Sequence, residues 1–207
     1  MTVAVIIAYD RRMVRWEPNA RGRLEQAALE LYTQRGFEST TVAEIAERAG
    51  LTERTFFRYF ADKREVLFSG ASELQELLVS KVDDAAPSLS PIEAIAAALV
   101  EVATAVFEQR REFARQRQAV IAANEELQER ELIKLASLAS ALAGALRGRG
   151  VSDPAASLAA EAGIAVFKIA FELWTSGTSG RTLPELIRES VDELTAVTAG
   201  RRPAVPL

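Results

Sequence analysis

Apolar residues recur at intervals of three and four positions through most of the chain, which is the period of an α-helix that buries one face. Between residues 19 and 35 this pattern predicts a first amphipathic helix, and Gly36 marks its end. A second apolar face begins at Val42 and lasts for barely two turns. No stretch has a competing strand pattern, so the sequence predicts an all-α protein.

A set of capping signals follows the first helix. Thr41 and Glu44 have the spacing of a capping box, in which two side chains satisfy backbone N–H groups at the start of a helix. Gly50 suits the left-handed turn that ends this helix, and Thr52 can cap a second short helix. Helix, tight turn and helix predict a helix-turn-helix, the arrangement that places its second helix in the major groove of DNA.

Beyond residue 67 the pattern changes to long, alanine-rich amphipathic segments. Asp62 followed by Glu65 repeats the capping logic and predicts that the first of these helices starts at about residue 63. The predicted helices are residues 63–84, 91–109, 111–122, 125–147, 154–176 and 183–198. This series of amphipathic helices predicts a helical bundle.

The predicted recognition helix, residues 53–60, divides its side chains between two faces. Phe56 and Phe60 are four residues apart and are expected to face the core. The side chains left partly outward are Arg54, Thr55, Phe57, Arg58 and Tyr59. Arginine can donate two hydrogen bonds to guanine, while threonine and tyrosine can contact base edges or phosphates. The alternative is an exposed helix with no ligand, and the outward aromatics argue against it because exposed aromatics usually have a partner.

The net charge of −4 is unevenly distributed over the 207 residues. Residues 11–64 contain eleven Lys and Arg against eight Asp and Glu, a net charge of +3, so the rest of the chain carries −7. A basic N-terminal portion suits attraction to DNA phosphates. Residues 1–18 have no consistent period and include three arginines. They are interpreted either as a flexible leader or as a basic arm that reaches the DNA.

The chain contains no cysteine and no histidine. This composition excludes disulfides, thiolate and imidazole metal ligands, and the nucleophilic and acid–base chemistry of those side chains. No cofactor or metal is therefore expected, and an enzyme is disfavoured. No apolar run approaches the roughly 20 residues of a membrane-spanning helix, and the apolar opening lacks the basic start and cleavage site of a signal peptide. Cytoplasmic residence is expected.

The segment from about residue 21 to residue 68 resembles the DNA-binding domain of the TetR/AcrR family of bacterial transcriptional regulators. The residues that carry the resemblance are Gly36, Phe37, Thr40, Thr41, Val42, Ile45, Ala46, Ala49, Gly50, Leu51, Thr52, Thr55, Phe56, Phe57, Arg58, Tyr59, Phe60 and Lys63. The organisation it implies is a leader or arm at 1–18, a helix-turn-helix DNA-binding domain at 19–68, a helical ligand-binding and dimerisation domain at 69–200 and a flexible tail at 201–207.

The same resemblance indicates which residues contact DNA. With the outward arginine at position 58 included, the candidates are Thr41, Thr52, Arg54, Thr55, Phe57, Arg58, Tyr59 and Lys63. The two capping threonines and the lysine are assigned to phosphates, and Arg54, Thr55 and Tyr59 to bases or the adjoining backbone. Phe57 departs from the family, which most often has a tyrosine here, so it offers an apolar contact such as one to a thymine methyl group. Arg58 or Tyr59 is expected to compensate for the missing hydroxyl.

In the helical body the candidate effector-binding residues are Phe107, Arg117, Ile121, Phe167, Lys168, Phe171 and Trp174. Aromatic residues at helical spacing are more often core than pocket lining, so both interpretations stay open. The four arginines between residues 110 and 117 are more often a solvated helix face. The alternative is that they attract an anionic head group such as that of an acyl-CoA, because the C-terminal half loosely resembles the acyl-CoA-responsive, mycofactocin-type branch of the family.

The last two predicted helices are the usual dimer interface of the family. The candidate interface residues are Ala155, Ala156, Ala159, Ala160, Gly163, Val166, Leu186, Ile187, Val191, Leu194 and Val197, and all of them suit the protein's own core equally well. The expected function is a homodimeric, ligand-responsive repressor that binds a palindromic operator and is released by a small hydrophobic or amphipathic effector. Its expected partners are double-stranded DNA, that effector and a second copy of itself, with no membrane. The alternatives are a helical interaction protein with vestigial DNA binding, and an enzyme.

Overall fold

The computed structural model describes residues 20–177 and 180–200, and this part of the chain contains helices and no strand. The α-helices are α1 (Ala20–Arg35), α2 (Val42–Arg48), α3 (Glu53–Tyr59), α4 (Ala71–Asp83), α5 (Pro91–Val102), α6 (Arg111–Ala122), α7 (Glu125–Gly148), α8 (Asp153–Ser176) and α9 (Leu183–Thr198). Shorter turns of helix are Glu65–Phe68 and Glu108–Arg110, both of 3₁₀ type, and the π-type turn Ala103–Phe107. The predicted all-α class is confirmed. The predicted leader at 1–18 and tail at 201–207 lie outside the described residues.

The chain divides into two units. The first contains the described residues up to Ser69 together with Ala119–Leu127. The second contains Gly70–Gln118 and the described residues from Gln128 onward. The end of α6 and the start of α7 therefore belong to the first unit, a feature that the helical period of the sequence does not indicate.

The first unit is built around α1, which packs against α2, α3 and the 3₁₀ turn that follows them. Leu24 of α1, Ile45 of α2 and Phe56 of α3 are fully buried. These side chains come from the apolar face that the sequence predicts for each helix. Burial of one face in each of three short helices fixes the position of α3 within this unit.

The second unit contains a larger apolar core. Its α5 helix packs against α4, α8 and α9, and α8 packs along α9. The face of α8 that carries small side chains packs toward this core, where Ala156, Ala160 and Val166 are buried. Gly163 is buried as well. For these four residues the structure selects the intramolecular interpretation over a dimer interface.

The helix predicted over residues 63–84 is wrong as a continuous element. A 3₁₀ turn at Glu65–Phe68 precedes a break at Ser69 and Gly70, and α4 begins only at Ala71. Gly70 has a φ of +83°, a left-handed conformation that costs glycine little and interrupts the helix. The Ser-Gly pair is a turn signal, which the apolar period of the flanking residues obscured.

The helix predicted over residues 91–109 is also interrupted. The α-helical part ends at Val102 and continues as the π-type turn and then the 3₁₀ turn. The hydroxyl of Thr104 donates to the carbonyl of Val100 at 2.9 Å, a side-chain bond of the kind that bends helices. The wider turn places Phe107 among the aromatic residues of α8.

In the described ranges, none of the helices combines the length and the apolar composition needed to cross a membrane.

Candidate nucleic-acid interface

The start of α2 is fixed by the predicted capping box. The hydroxyl of Thr41 accepts from the backbone N–H of Glu44 at 3.2 Å, and the carboxylate of Glu44 accepts from the backbone N–H of Thr41 at 2.9 Å. These bonds from Thr41 hold the pKa of Glu44 below its ordinary value. The helix ends where Gly50, at a φ of +67°, lets the N–H of Leu51 donate to the carbonyl of Ala46 at 2.8 Å. Both predicted ends of α2 are confirmed.

The α3 helix starts at the predicted cap, Thr52. Its hydroxyl accepts from the backbone N–H of Thr55 at 3.2 Å and lies 3.0 Å from the hydroxyl of Thr55. Thr41 and Thr52 are both exposed residues, and each capping hydroxyl is already hydrogen-bonded within its own cap. The two threonines assigned to phosphates therefore lie at the starts of two consecutive helices.

The two faces of α3 agree with the sequence prediction. Phe56 and Phe60 are 0% and 5% exposed, whereas Phe57 and Tyr59 are 56% and 41% exposed. Arg54 and Arg58 are also exposed, and the side chain of Thr55 is half-buried. Two aromatic rings and two guanidinium groups thus face solvent from a helix of seven residues.

Arg58 and Tyr59 act as one polar group on this face. A guanidinium nitrogen of Arg58 donates to the hydroxyl oxygen of Tyr59 at 3.1 Å, and its carbon lies 4.9 Å from the centre of the tyrosine ring. Because this bond uses a lone pair of the hydroxyl oxygen, the hydroxyl proton of Tyr59 stays available to donate to an acceptor such as a phosphate.

Lys63 has a different environment from the other candidates. Its side chain is half-buried, and its ammonium group donates to the backbone carbonyls of Phe37, Glu38 and Thr40 at 2.9, 3.2 and 3.1 Å. Its assignment to a phosphate stays a prediction. The sequence did not indicate these carbonyl partners, which lie 23 to 26 residues away.

Three polar residues near Lys63 were not predicted as partners of one another. Asp62 accepts from the backbone N–H of Arg64 at 2.8 Å and pairs with its guanidinium at 2.6 Å, which lowers the pKa of Asp62. Arg64 also pairs with Glu126 at 3.1 Å. These bonds tie the turn after α3 to the start of α7, inside the first unit. Only the capping role of Asp62 could be inferred from local spacing.

The structure brings four of the candidate effector-binding residues together in the second unit. Phe107 lies between the rings of Phe167, Phe171 and Trp174, with centroid distances of 6.1, 5.8 and 6.4 Å. Trp174 is 1% exposed, and the three phenylalanines are half-buried. We refer to these four residues as the aromatic cluster.

The other three candidates lie elsewhere. Arg117 pairs with Glu131 at 3.4 Å, and burial lowers the pKa of its guanidinium. Ile121 is fully buried and belongs to the first unit rather than to the unit of the aromatic cluster. Lys168 is exposed. No shared site for all seven predicted residues is therefore formed within the second unit.

The four arginines between residues 110 and 117 all have contacts within the chain. Arg111 donates twice to the carbonyl of Trp174, at 3.0 and 2.7 Å, and Arg115 pairs with Glu112 at 2.7 Å. The guanidinium of Arg110 lies 4.8 Å from the ring centre of Phe113. With the Arg117 pair, these contacts give each arginine a role in the protein's own structure.

Two family models match the chain and together cover most of it. The model described as bacterial regulatory proteins, tetR family, matches residues 25–69, which include α2, α3 and the 3₁₀ turn. The model described as MftR C-terminal domain matches residues 89–199, more than half of the chain.

Similar proteins come from several bacteria. The chain is 37% identical over 78 residues to the HTH-type transcriptional regulator TcmR of Streptomyces glaucescens, covering 38% of this chain and 34% of TcmR. It is 28% identical over 92 residues to the putative mycofactocin biosynthesis transcriptional regulator MftR of Mycobacterium tuberculosis, covering 44% and 46%. The chain therefore spans between a third and a half of the length of these two relatives.

A similar fold occurs in the transcriptional regulator FadR from Bacillus subtilis, whose crystal structure is a complex with stearoyl-CoA. The two structures have a TM-score of 0.56 over 87% of this chain and 99% of FadR. The sequences are 19% identical, so this similarity concerns the fold.

Proposed function

The chain belongs to the TetR family of bacterial transcriptional regulators. We propose that it is a homodimeric, ligand-responsive repressor. The outward face of α3 is the observation that carries the proposal. Phe57, Arg58 and Tyr59 are exposed there, while Phe56 and Phe60 anchor the same helix in the core. A helix fixed by buried aromatics and exposing aromatic and cationic groups suits insertion into a DNA groove.

The proposed DNA contacts follow from what each side chain can donate or accept. Thr55 and Arg54 would contact bases or the adjoining backbone, and Tyr59 would donate its hydroxyl proton to a phosphate or base. Thr41 and Thr52 would contact phosphates from the two helix starts. The arrangement gives contacts to both the backbone and the bases, which specific binding requires.

Phe57 would supply the apolar part of the contact. Its ring is 56% exposed and lies 5.4 Å from the buried ring of Phe56, so it is held in place without being covered. The thymine methyl group is the apolar feature of the major groove. We propose that Phe57 contacts such a methyl group.

Dimer formation is proposed because one helix-turn-helix reads few base pairs, whereas a two-fold dimer reads two half-sites about 34 Å apart. A row of exposed apolar residues on α8 supports it: Leu158, Ile169 and Leu173 are 71%, 54% and 40% exposed. Val197 on α9 is 56% exposed. Exposed apolar rows of this kind mark interaction surfaces, so the proposed interface uses the face of α8 opposite to Ala156 and Gly163.

The proposed effector is a hydrophobic or amphipathic small molecule whose apolar part contacts the aromatic cluster. Half-buried rings beside a π-type turn support this location, because such turns occur frequently at functional sites. An acyl-CoA is one candidate, since the crystal structure of the structurally similar FadR of Bacillus subtilis is a complex with stearoyl-CoA. The effector would favour a second arrangement of the dimer, with a coupling free energy of about 1–3 kcal/mol.

The proposal is tested with DNA from the upstream region of the chain's own gene. A gel shift over a range of salt concentrations should reveal binding to a palindromic site, and Thr55→Ala and Tyr59→Ala should weaken that binding. Thr33→Ala, at an exposed position of α1 in the same unit, is the matched control and should bind as the parent protein does. Absence of palindrome-specific binding at low salt would favour the alternative of a helical interaction protein.

The effector is tested separately. Isothermal titration with stearoyl-CoA should show binding, and a saturating concentration should lower operator affinity. Phe107→Ala is expected to weaken that binding because it removes the central ring of the aromatic cluster. If stearoyl-CoA neither binds nor changes operator affinity, the effector is not an acyl-CoA of this kind. That result would not affect the proposed DNA binding.

A further inference from the structure

Lys63 uses all of its hydrogen-bonding capacity inside the protein. It follows α3, and its ammonium group reaches back to the loop after α1, where it donates to the carbonyls of Phe37, Glu38 and Thr40 at 2.9, 3.2 and 3.1 Å. A lysine ammonium has three N–H donors and no acceptor. A direct phosphate contact would therefore require at least one carbonyl to lose its partner.

The loop is shaped to receive this cation. Gly36, at a φ of +86°, turns the chain at the end of α1 and brings the three carbonyls to one side. The lysine nitrogen also lies 4.3 Å from the ring centre of Phe37, which is 1% exposed. A cation over an aromatic face is attracted to it, most strongly where water is excluded. The charge of Lys63 is thus stabilised in the protein before any DNA is bound.

A second bond runs in the opposite direction. The hydroxyl of Tyr32 donates to the backbone carbonyl of Lys63 at 2.6 Å, and Tyr32 is 2% exposed. Burial raises the pKa of Tyr32, with a further contribution from the charge of Asp62, so the hydroxyl keeps its proton at physiological pH. Lys63 therefore donates through its side chain and accepts through its backbone, both toward α1 and the loop after it. We call the bond from Tyr32 to the carbonyl of Lys63, together with the three bonds from the ammonium group of Lys63, the Tyr32–Lys63 latch.

We propose that Lys63 is a positioning residue, which sets the geometry of the helix-turn-helix through the Tyr32–Lys63 latch and supports operator affinity in that way instead of by neutralising a phosphate. Thr40, whose carbonyl the latch holds, immediately precedes Thr41, the N-cap of α2. The other end of the latch, at Lys63, lies in the turn that follows α3, which ends at Tyr59. The latch therefore connects the beginning and the end of the two-helix element. This inference rests on the proposed DNA-binding function.

The test compares two variants that break the latch at different ends. Lys63→Met removes the ammonium and keeps the apolar stem, and Tyr32→Phe removes only a buried hydroxyl that carries no charge. Each is expected to lower the Tm of the free protein. Each is also expected to lower operator affinity by a similar factor at every salt concentration, with an unchanged slope of log K against log salt.

A phosphate ligand behaves differently, because each phosphate contact that is lost reduces the magnitude of the salt slope by about 0.9. Arg54→Met, which removes an exposed cation from α3, shows how the same assay responds to a lost surface charge. Lys63→Met with an unchanged Tm and a slope reduced by about 0.9 per subunit would overturn the proposal. So would Tyr32→Phe with unchanged Tm and operator affinity.

The operator-binding assay and the Tm measurements distinguish a failure of the proposed DNA-binding function from a failure of the positioning role of Lys63. If the parent protein binds no operator, the proposed function fails, whereas the Tm values of Lys63→Met and Tyr32→Phe still report on the latch. If Lys63→Met does not fold, Tyr32→Phe alone decides the outcome, since a decreased Tm and decreased affinity support the latch and parent-like values overturn it.

Discussion

Gly163 of α8 lies so close to Ile95 of α5 that a Cβ atom built on the glycine would be 2.5 Å from Cγ2 of the isoleucine. Ile95 is fully buried and its Cβ atom is only 3.5 Å from the same position, so an added methyl group fits only if Ile95 or one of the two helices moves. The close approach of α5 and α8 therefore depends on a residue without a side chain at position 163. The value of glycine here is its small size, since its φ is not in the left-handed region.

Replacement of Gly163 by alanine is expected to destabilise the second unit. An added methyl group in a packed core forces side chains and backbone to shift, at a cost of about 1–3 kcal/mol. Urea unfolding followed by circular dichroism should show this loss in the free energy of unfolding.

The matched control for that substitution is Gly144→Ala in α7. Gly144 is exposed, and only a guanidinium nitrogen of Arg147, at 4.0 Å, lies near the added methyl. Alanine is favoured over glycine inside a helix by about 0.8–1.0 kcal/mol, so this variant should be more stable than the parent. Equal effects of the two substitutions would contradict the packing argument.

Removal of a phenyl ring should reduce stability on the buried side of α3 and leave it nearly unchanged on the exposed side. Phe60→Ala empties a buried position and is expected to cost about 3–5 kcal/mol of stability. Phe57→Ala removes a ring that is 56% exposed, and its effect on stability should stay within about 0.5 kcal/mol. Thermal unfolding measures the first effect, and a gel shift should show that Phe57→Ala loses affinity for DNA while it remains folded. A large loss of stability in Phe57→Ala would mean that the faces were assigned wrongly.

The parts of the fold that followed from the sequence rest on contacts between near neighbours. The Thr41–Glu44 capping box spans three residues, and the burial of Phe56 and Phe60 follows from a four-residue spacing. Such contacts depend on helix geometry alone, so the residue types predict them. The 3₁₀ and π-type turns were missed because they preserve the apolar period while they change the backbone.

The contacts of Lys63 and the outer face of α8 were not predictable in this way. The carbonyls that Lys63 binds are backbone atoms of a distant loop, and no residue type marks a carbonyl as available. Helix α8 has apolar residues on two faces, so its period cannot distinguish Gly163, which packs inside, from Leu158, which is exposed. Tertiary packing decides which of two apolar faces is covered.

The capping box of α2 should make stability depend on pH. Bonds from Thr41 lower the pKa of Glu44 from its ordinary value of 4.5, and Arg35 lies 2.9 Å from the same carboxylate. A depressed folded-state pKa stabilises the protein fully above the unfolded value, and this contribution disappears as the pH falls through the folded value.

Glu44→Gln should therefore be less stable than the parent at pH 7, and the difference should begin to shrink near pH 4.5 and disappear only as the pH falls through the lower pKa of Glu44 in the folded protein. Glutamine keeps the capping bonds and lacks only the charge. Urea unfolding between pH 3 and pH 7 measures the difference, with Glu47→Gln on the same helix as the control. A difference that persisted unchanged at acidic pH would show that the charge of Glu44 is not responsible.

The exposed row on α8 provides the sharpest test of the proposed dimer. Leu158 and Ile169 are separated by eleven residues, three turns of helix, and both are more than half exposed. A carboxylate placed at either position would be buried without a partner in an interface, which costs several kcal/mol. Leu158→Glu and Ile169→Glu should therefore shift the protein from dimer to monomer in sedimentation equilibrium and weaken its binding to a palindromic operator. Leu132→Glu on α7 changes a residue that is 59% exposed in the same unit and should leave the dimer intact. If Leu132→Glu dissociates the protein and the α8 variants do not, the interface lies on α7 instead.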